Sequence, residues 1–184
     1  MFKKGVREGY GRLVHHNGDI YTGYWSKDRA NGQGTFRNTV GYSYEGQWLN
    51  DAQHGYGMEI WQENGSRYTG IFRHGKKWGR GCYEWPDGSY YDGDLVDGCF
   101  EGQGVYYFAD QKKTYTGSFM NSNMNGLGTE VLEDGHTYGG QFKNGQKQGE
   151  GTMTYPNSCK QYKGQWKKNQ RHGKGIELNL KTNT

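Results

Sequence analysis

Aromatic and polar positions alternate along most of this chain, and the alternation resets at a fixed interval. Tyr-x-Gly-x-(Trp or Phe) recurs at Tyr21-Gly23-Trp25, Tyr44-Gly46-Trp48, Tyr68-Gly70-Phe72, Tyr115-Gly117-Phe119, Tyr138-Gly140-Phe142 and Tyr162-Gly164-Trp166, and Tyr91-Gly93-Leu95 carries an aliphatic third member. Successive Tyr stand 23, 24, 23, 24, 23 and 24 residues apart. Each is followed 11 and 13 residues on by a Gly-x-Gly pair, from Gly32/Gly34 and Gly55/Gly57 to Gly173/Gly175. Positions i, i+2 and i+4 share one face of a strand, so Tyr, Gly and Trp lie together and the polar residues between them (Thr22, Glu45, Gln47, Thr69, Lys163, Gln165) face the other way.

Turn formers divide the pattern. Asp28, Asp51, Gly75, Gly98, Ser122, Gly145 or Asn169 stands seven residues after each Tyr. Asn17-Gly18, Gly41, Asn64-Gly65, Asp87-Gly88 and Asp134-Gly135 mark a second turn just before the next Tyr, and Asn-Gly and Asp-Gly are the strongest short hairpin signals. The extra residue of the 24-residue copies falls between the Gly-x-Gly pair and this second turn. Each repeat therefore reads as strand, turn, strand, turn. In the second strand both Gly are expected on the ring face, with Leu13, Phe36, Trp61, Tyr83, Trp85, Tyr106, Phe108, Leu132, Met153 and Tyr155 two or four residues further on. Rings then lie across glycines, where no Cβ blocks them.

The predicted fold is all-β: an elongated, twisted, single antiparallel sheet of consecutive β-hairpins, open ended. A partial repeat over 1–20, with Phe2 in the Trp slot and Gly9/Gly11 as the pair, precedes repeats at 21–43, 44–67, 68–90, 91–114, 115–137, 138–161 and 162–184, the last ending in a polar tail. The chain thus reads as one continuous array that begins inside a repeat. One hairpin is marginal alone, so stacking on neighbours must supply the stability.

Composition sharpens this picture. Leu, Ile, Val and Phe number only 24 of 184 residues, too few for a conventional aliphatic core, while Gly numbers 33. Few Ala and Leu exclude a helical bundle. No apolar run is long enough to span a bilayer as a helix, and no secretory leader is legible. Aromatics at 16% and a net charge of only +4 exclude a disordered chain.

The residues resemble the MORN (membrane occupation and recognition nexus) repeat family, whose pattern is Tyr-x-Gly-x-Trp, a Gly/Asn turn, then His-Gly-x-Gly. Tyr44 to Trp48 with His54-Gly55-Tyr56-Gly57, and Tyr162 to Trp166 with His172-Gly173-Lys174-Gly175, fit closely, and the resemblance runs from residue 2 to about 178. Departures are Leu95 in place of a ring and a His before the first Gly in only two repeats. The resemblance implies a hairpin stack used for binding, not catalysis. Similar arrays occur beside lipid-kinase domains, in junctional membrane proteins and in cytoskeletal scaffolds of protists and cilia. It therefore implies a non-catalytic protein–protein interaction scaffold in a cytoskeletal, ciliary or axonemal assembly, located in the cytoplasm or cytoskeleton, cilium or flagellum. The alternative it implies is phospholipid attachment through the basic C-terminal repeats, within a larger lipid-kinase-like protein.

Charge and ring positions nominate surfaces. Residues 138–184 hold nine Lys/Arg against two acids. Lys160, Lys163, Lys167, Lys168, Arg171 and Lys174 are the candidate contacts for an anionic membrane surface, each worth on the order of 1 kcal/mol there. Residues 84–101 hold six acids and no Lys or Arg, which makes end-to-end self-association with the basic end a further option. Trp61, Tyr83, Trp85, Tyr106, Phe108 and Tyr155 vary between repeats and are the candidate partner groove, whereas the motif Tyr, Gly and Trp/Phe are structural. Ile176, Leu178 and Leu180, alternating with Glu177, Asn179 and Lys181, are expected on the face opposite the glycines, and an exposed edge strand there can pair with another chain.

Chemistry beyond binding finds little support. The Gly-x-Gly pairs lack the strand-to-helix context of a phosphate loop. Cys82, Cys99 and Cys159 have no zinc spacing and read as reduced intracellular thiols. The six His show no metal spacing, and His54 and His172 are expected to bond neighbouring backbone. Asp92, Asp94 and Asp97 lack the Gly and distal Glu of a calcium loop. Asn64-Gly65-Ser66 is a glycosylation sequon without a secretory context. No nucleophile, base and orienting residue stand apart from the repeat. Nucleic acid is disfavoured because the rings are committed to the sheet. No catalytic residue, cofactor or metal is expected.

Overall fold

The computed structural model describes residues 2, 3 and 5–180, with side chains from residue 5 onward. The Phe2 side chain, Lys181 and the remainder of the polar tail lie outside the described residues. Fifteen strands, from Gly9–Val14 to Gln170–Asn179, form one open antiparallel sheet whose strand order is the chain order. Phe2–Lys3 and Val6–Arg7 form a separate two-stranded ladder. The one described helix is a 3-10 turn at Pro156–Ser158. Two compact units divide the chain, one up to Pro86 with Leu95–Gly98 and one of Asp87–Asp94 with Cys99 onward.

Turn chemistry explains the hairpins. In repeat 2 the strands Tyr42–Leu49 and Ala52–Trp61 are joined by Asn50 and Asp51, with φ of 50° and 66°. Two successive positive φ values define the tight turn whose twist matches flanking strands. The other repeats place Lys27/Asp28, His74/Gly75, Asp97/Gly98, Asn121/Ser122, Asn144/Gly145 and Lys168/Asn169 in the same conformation. Where the second turn has no Gly, Lys112 and Cys159 take up the left-handed conformation themselves.

Each motif Tyr is the centre of its repeat. Gly46 pairs with Gly57 on one side and Gly34 on the other. The Tyr44 ring covers this glycine pair and is fully buried, and a Cβ added at Gly57 would lie 2.6 Å from ring carbons. The Tyr44 hydroxyl donates to the carbonyl of Gln47 at 2.8 Å, and Tyr21, Tyr68, Tyr91, Tyr115, Tyr138 and Tyr162 make the same bond three residues on. Burying the hydroxyl without a partner would be costly, so ring burial depends on that carbonyl. Motif Trp and Phe rings stand edge-on to the Tyr of their own repeat and of the preceding one: Trp48 is 5.0 Å from Tyr44 and 5.2 Å from Tyr21. Trp25, Trp48 and Trp166 also donate their indole N–H to the carbonyls of Gly11, Gly34 and Gly151. At Leu95, where no ring stands, Phe100 stacks on Tyr91 at 3.7 Å.

One glycine of each pair plays a different part from the one expected. The second (Gly57) lies under the ring, but the first (Gly55) does not. The ladder shifts between Gly46 and Trp48, and Gly55 occupies the resulting bulge at φ 62°. A Cβ there would meet the Gln47 side chain, not Tyr44. Gln47 Oε1 accepts the Tyr56 N–H, and Gln141, Gln165 and Asp94 do the same for Glu150, Lys174 and Gln103. The first glycine is needed for backbone conformation, and the polar residue before the motif Trp caps the bulge.

Repeats are also clasped turn to strand. The N–H of the second turn residue donates to the carbonyl of a residue in the preceding repeat: Asp51 to Ala30, Gly75 to Gln53 and Asn169 to Lys147, at 2.9 to 3.1 Å. Where the turn residue has a polar side chain, it returns the bond, as Asp51 Oδ1 does to the Ala30 N–H at 2.7 Å.

Candidate interaction face

The ring face is closed or left open by two side chains per repeat. One stands nine residues after the motif Tyr, and the other two residues after the second Gly of the preceding repeat. Within the two units these pairs are Ala30 with Leu13, Gln53 with Phe36, Lys77 with Glu59, Met124 with Tyr106, Lys147 with Glu130 and Arg171 with Met153. Acid therefore occurs where the partner is lysine.

In the first unit, Lys77 Nζ lies 5.1 Å over Tyr68 and 4.8 Å over Trp61, and forms an ion pair with buried Glu59. Glu59 Oε1 also accepts from Tyr42 Oη (2.6 Å) and Gln53 Nε2 (3.0 Å), while Oε2 meets Lys77 Nζ at 2.5 Å outside hydrogen-bonding angles. Burial and the Glu59 carboxylate push the Tyr42 hydroxyl far above its ordinary value. In the second unit, Glu130 pairs with both Lys113 and Lys147, and Lys147 Nζ lies 5.0 Å over Tyr138. Burial pushes the Glu130 carboxyl up, but the two lysines more than offset it and hold it below the usual glutamate value. These glutamates are buried acids on an aromatic face, Glu59 compensated by one lysine and Glu130 by two.

Where the pair is Ala30 and Leu13, the face is open. A groove of about 630 Å³ lies over Tyr21, floored by Trp25 and Trp48 and walled by Leu13, Phe36 and Tyr42. Its rim carries Asp28, which is paired with Arg7 at 3.1 Å, and Asp51.

The MORN-repeat family model matches this chain at residues 1–20, 21–41, 44–66, 68–90, 91–113, 115–137, 138–160 and 162–178. The chain belongs to the MORN-repeat family. Human Alsin is 30% identical over 63 residues, which is 32% of this chain, and mouse Alsin is 32% identical over the same length. The chain spans only 4% of the length of these curated relatives. Among solved structures, the TCP domain of Drosophila melanogaster SAS-4, in complex with a proline-rich motif of Ana2, aligns at a TM-score of 0.47 and 15% identity, over 80% of this chain and 85% of that one. The TCP10 domain of Danio rerio CPAP, as its E1021V mutant, aligns at 0.31 and 12%, over 85% and 83%. Both scores fall below the level that shows a common fold.

The MORN array distributes the candidate residues unevenly. In the first unit Trp61 stacks on Tyr83 at 5.6 Å and Tyr83 lies 4.5 Å from Trp85, a half-buried aromatic ladder. In the second unit Tyr106 stacks on Phe108 at 4.2 Å beneath Lys113, whereas the Tyr155 hydroxyl accepts from Arg171 at 2.9 Å. None of these six lines the groove over Tyr21. The six basic residues split as well. Lys160 and Arg171 lie on the ring side and pair with Glu177, and Arg171 lies 4.4 Å over Tyr162. Lys163, Lys167 and Lys174 are exposed on the opposite face with Ile176 and Leu178, and Lys168 sits in the turn. His54 Nδ1 is buried without a partner, its ring 5.4 Å from His74, so the expected backbone bond is not made through that nitrogen. Among the described residues no three His, Cys, Asp or Glu converge as a metal site.

Sequence reasoning passed over Glu59, Glu130 and the column nine residues after each Tyr. The signal was present: a glutamate two residues after the second Gly is followed in the next repeat by a lysine. Only reading repeats as columns makes it visible.

Proposed function

We propose that this MORN array is a non-catalytic scaffold that binds a protein partner on its ring face, within a cytoskeletal, ciliary or axonemal assembly. The observation that supports the reading is the open groove over Tyr21. Half-buried Phe36, Tyr42 and Trp48 line a concave, mostly apolar recess there above buried Tyr21 and Trp25, rimmed by polar groups, the usual form of a recognition site. The cytoskeletal setting comes from the kind of assembly in which such arrays work. A photocrosslinking residue at Phe36 on the ring face, compared with one at Gln33 on the opposite face, tests the reading in ciliated-cell lysate. Crosslinking of one protein from Phe36 only is expected, and its absence from both positions overturns it. Imaging of the tagged chain tests the setting, and exclusion from cilium and cytoskeleton overturns that part.

A second reading is attachment to anionic phospholipid. It is favoured by Lys163, Lys167 and Lys174 standing with Ile176 and Leu178 on one exposed face, a basic surface with aliphatic side chains. It predicts salt-sensitive flotation with phosphatidylserine vesicles. Flotation unchanged after neutralising the three lysines would remove it.

A further inference from the structure

We infer that the groove over Tyr21 receives a partner segment presenting a lysine or arginine beside a bulky apolar side chain. This rests on the protein-scaffold reading and specifies its partner chemistry. The array shows what fits over a motif Tyr, because other repeats fill that place themselves. Lys77 lies over Tyr68 and Trp61 with Glu59 beside it, Lys147 over Tyr138 with Glu130, and Arg171 over Tyr162 with Glu177. Cations over rings beside a carboxylate are thus the chain's own solution. In the first repeat, Arg7 lies 4.2 Å over Trp25 and pairs with Asp28, but Ala30 and Leu13 put no cation over Tyr21, and the groove opens there beside Asp51.

The groove keeps the two features such a guest needs. Its floor is aromatic, with Tyr21 edge-on to Trp25 at 4.9 Å and to Trp48 at 5.2 Å. Its rim holds Asp51. Asp28 is neutralised by Arg7, but Asp51 has no cation against it among the described residues, and its carboxylate accepts the Ala30 N–H. An exposed ion pair alone is worth little, so the apolar side chain, in the space beside Leu13 and Phe36, supplies most of the binding and the cation selects the partner.

The test titrates the whole chain with three synthetic peptides, Gly-Ser-Arg-Leu-Ser-Gly and its versions with Ser or Glu in place of Arg, following the indole N–H resonances of Trp25 and Trp48. The Arg peptide should shift both and bind about fivefold more tightly than the Ser peptide, with the Glu peptide weakest. Asp51→Asn, which keeps an acceptor for the Ala30 N–H, should abolish the Arg-over-Ser preference. Ala30→Lys with Leu13→Glu recreates the closed pair of repeat 3 and should abolish all binding. Equal affinities for the three peptides, no indole shift at millimolar peptide, or binding retained by the closed variant would overturn the inference. A partner crosslinked from Phe36 that still binds the closed variant would sink this specificity and leave the scaffold reading standing.

Discussion

The hydroxyl of Tyr44 donates to the carbonyl of Gln47, three residues ahead on the same strand, at 2.8 Å. Gln47 has no register partner on the second strand of its repeat, because the bulge at Gly55 lies opposite it. Bulge, glycine pair and tyrosine therefore form one unit: the bulge opens the ladder, the glycines admit the ring, and the carbonyl satisfies the hydroxyl. Tyr44→Phe should lose about 1 kcal/mol. Gly57→Ala, which drives a methyl into the ring, should lose more, about 1–3 kcal/mol. Urea unfolding of the two variants checks the order, and a costlier Tyr44→Phe would contradict it.

Gly55→Ala should destabilise by a different route, roughly 1–2 kcal/mol for a side chain in the left-handed region, plus displacement of Gln47. A double-mutant cycle separates the two glycines. Gln47→Ala should partly relieve Gly55→Ala and leave the cost of Gly57→Ala unchanged.

Removing Lys77 alone leaves Glu59 buried and uncompensated, and Lys77→Ala should cost about 3–5 kcal/mol. Glu59→Leu with Lys77→Ala installs the apolar kind of pair that the first repeat carries natively. It should be more stable than Lys77→Ala alone, as judged by thermal unfolding.

Stability should fall at both extremes of pH. Glu130 has a folded pKa held below its unfolded value, so its contribution is complete above the ordinary glutamate range and is lost as pH drops through the lowered pKa. Glu130→Gln should flatten that acid limb. At the other end, burial pushes Tyr21, Tyr115 and Tyr138 up to about 12. A raised tyrosine pKa stabilises fully below the unfolded value of 10.0 and less as pH climbs toward 12, so unfolding midpoints should decline across that window. Phenolate absorbance that reaches the value for all 16 tyrosines without loss of circular dichroism would contradict this for the motif tyrosines.

Strand order and turn positions were legible because glycine, tyrosine and turn residues each report a local requirement. The face of Tyr44, Gly46 and Trp48 follows from alternation alone. Gly55 was misplaced because alternation assumes an unbroken ladder, and a bulge moves one residue off its expected face. Glu59 escaped because a charged residue on an aromatic face contradicts local patterning until Lys77, contributed by the next repeat, is placed beside it. The groove over Tyr21 was equally hidden, since it depends on how small Ala30 is relative to its counterparts, not on any residue that advertises a function.

The clasp from Asp51 to Ala30, repeated as Gly75 to Gln53 and Asn169 to Lys147, has a bearing on how such a chain tolerates editing. Every turn on this border has two residues and holds its neighbour through the second of them, so an inserted residue there would break both the turn and the grip. The opposite turns already vary, from Asn17-Gly18 to the 3-10 turn at Pro156–Ser158, and they absorb the difference between 23- and 24-residue copies. Epitopes, affinity tags or whole loops grafted at Asn64-Gly65 or Asp134-Gly135 should therefore leave the sheet intact. Both borders are stitched to their neighbours, the second through Gln62 to Gly41 and Glu133 to Lys112, but only the second has stitches that sit before the turn tip, and new length can be woven in beyond them.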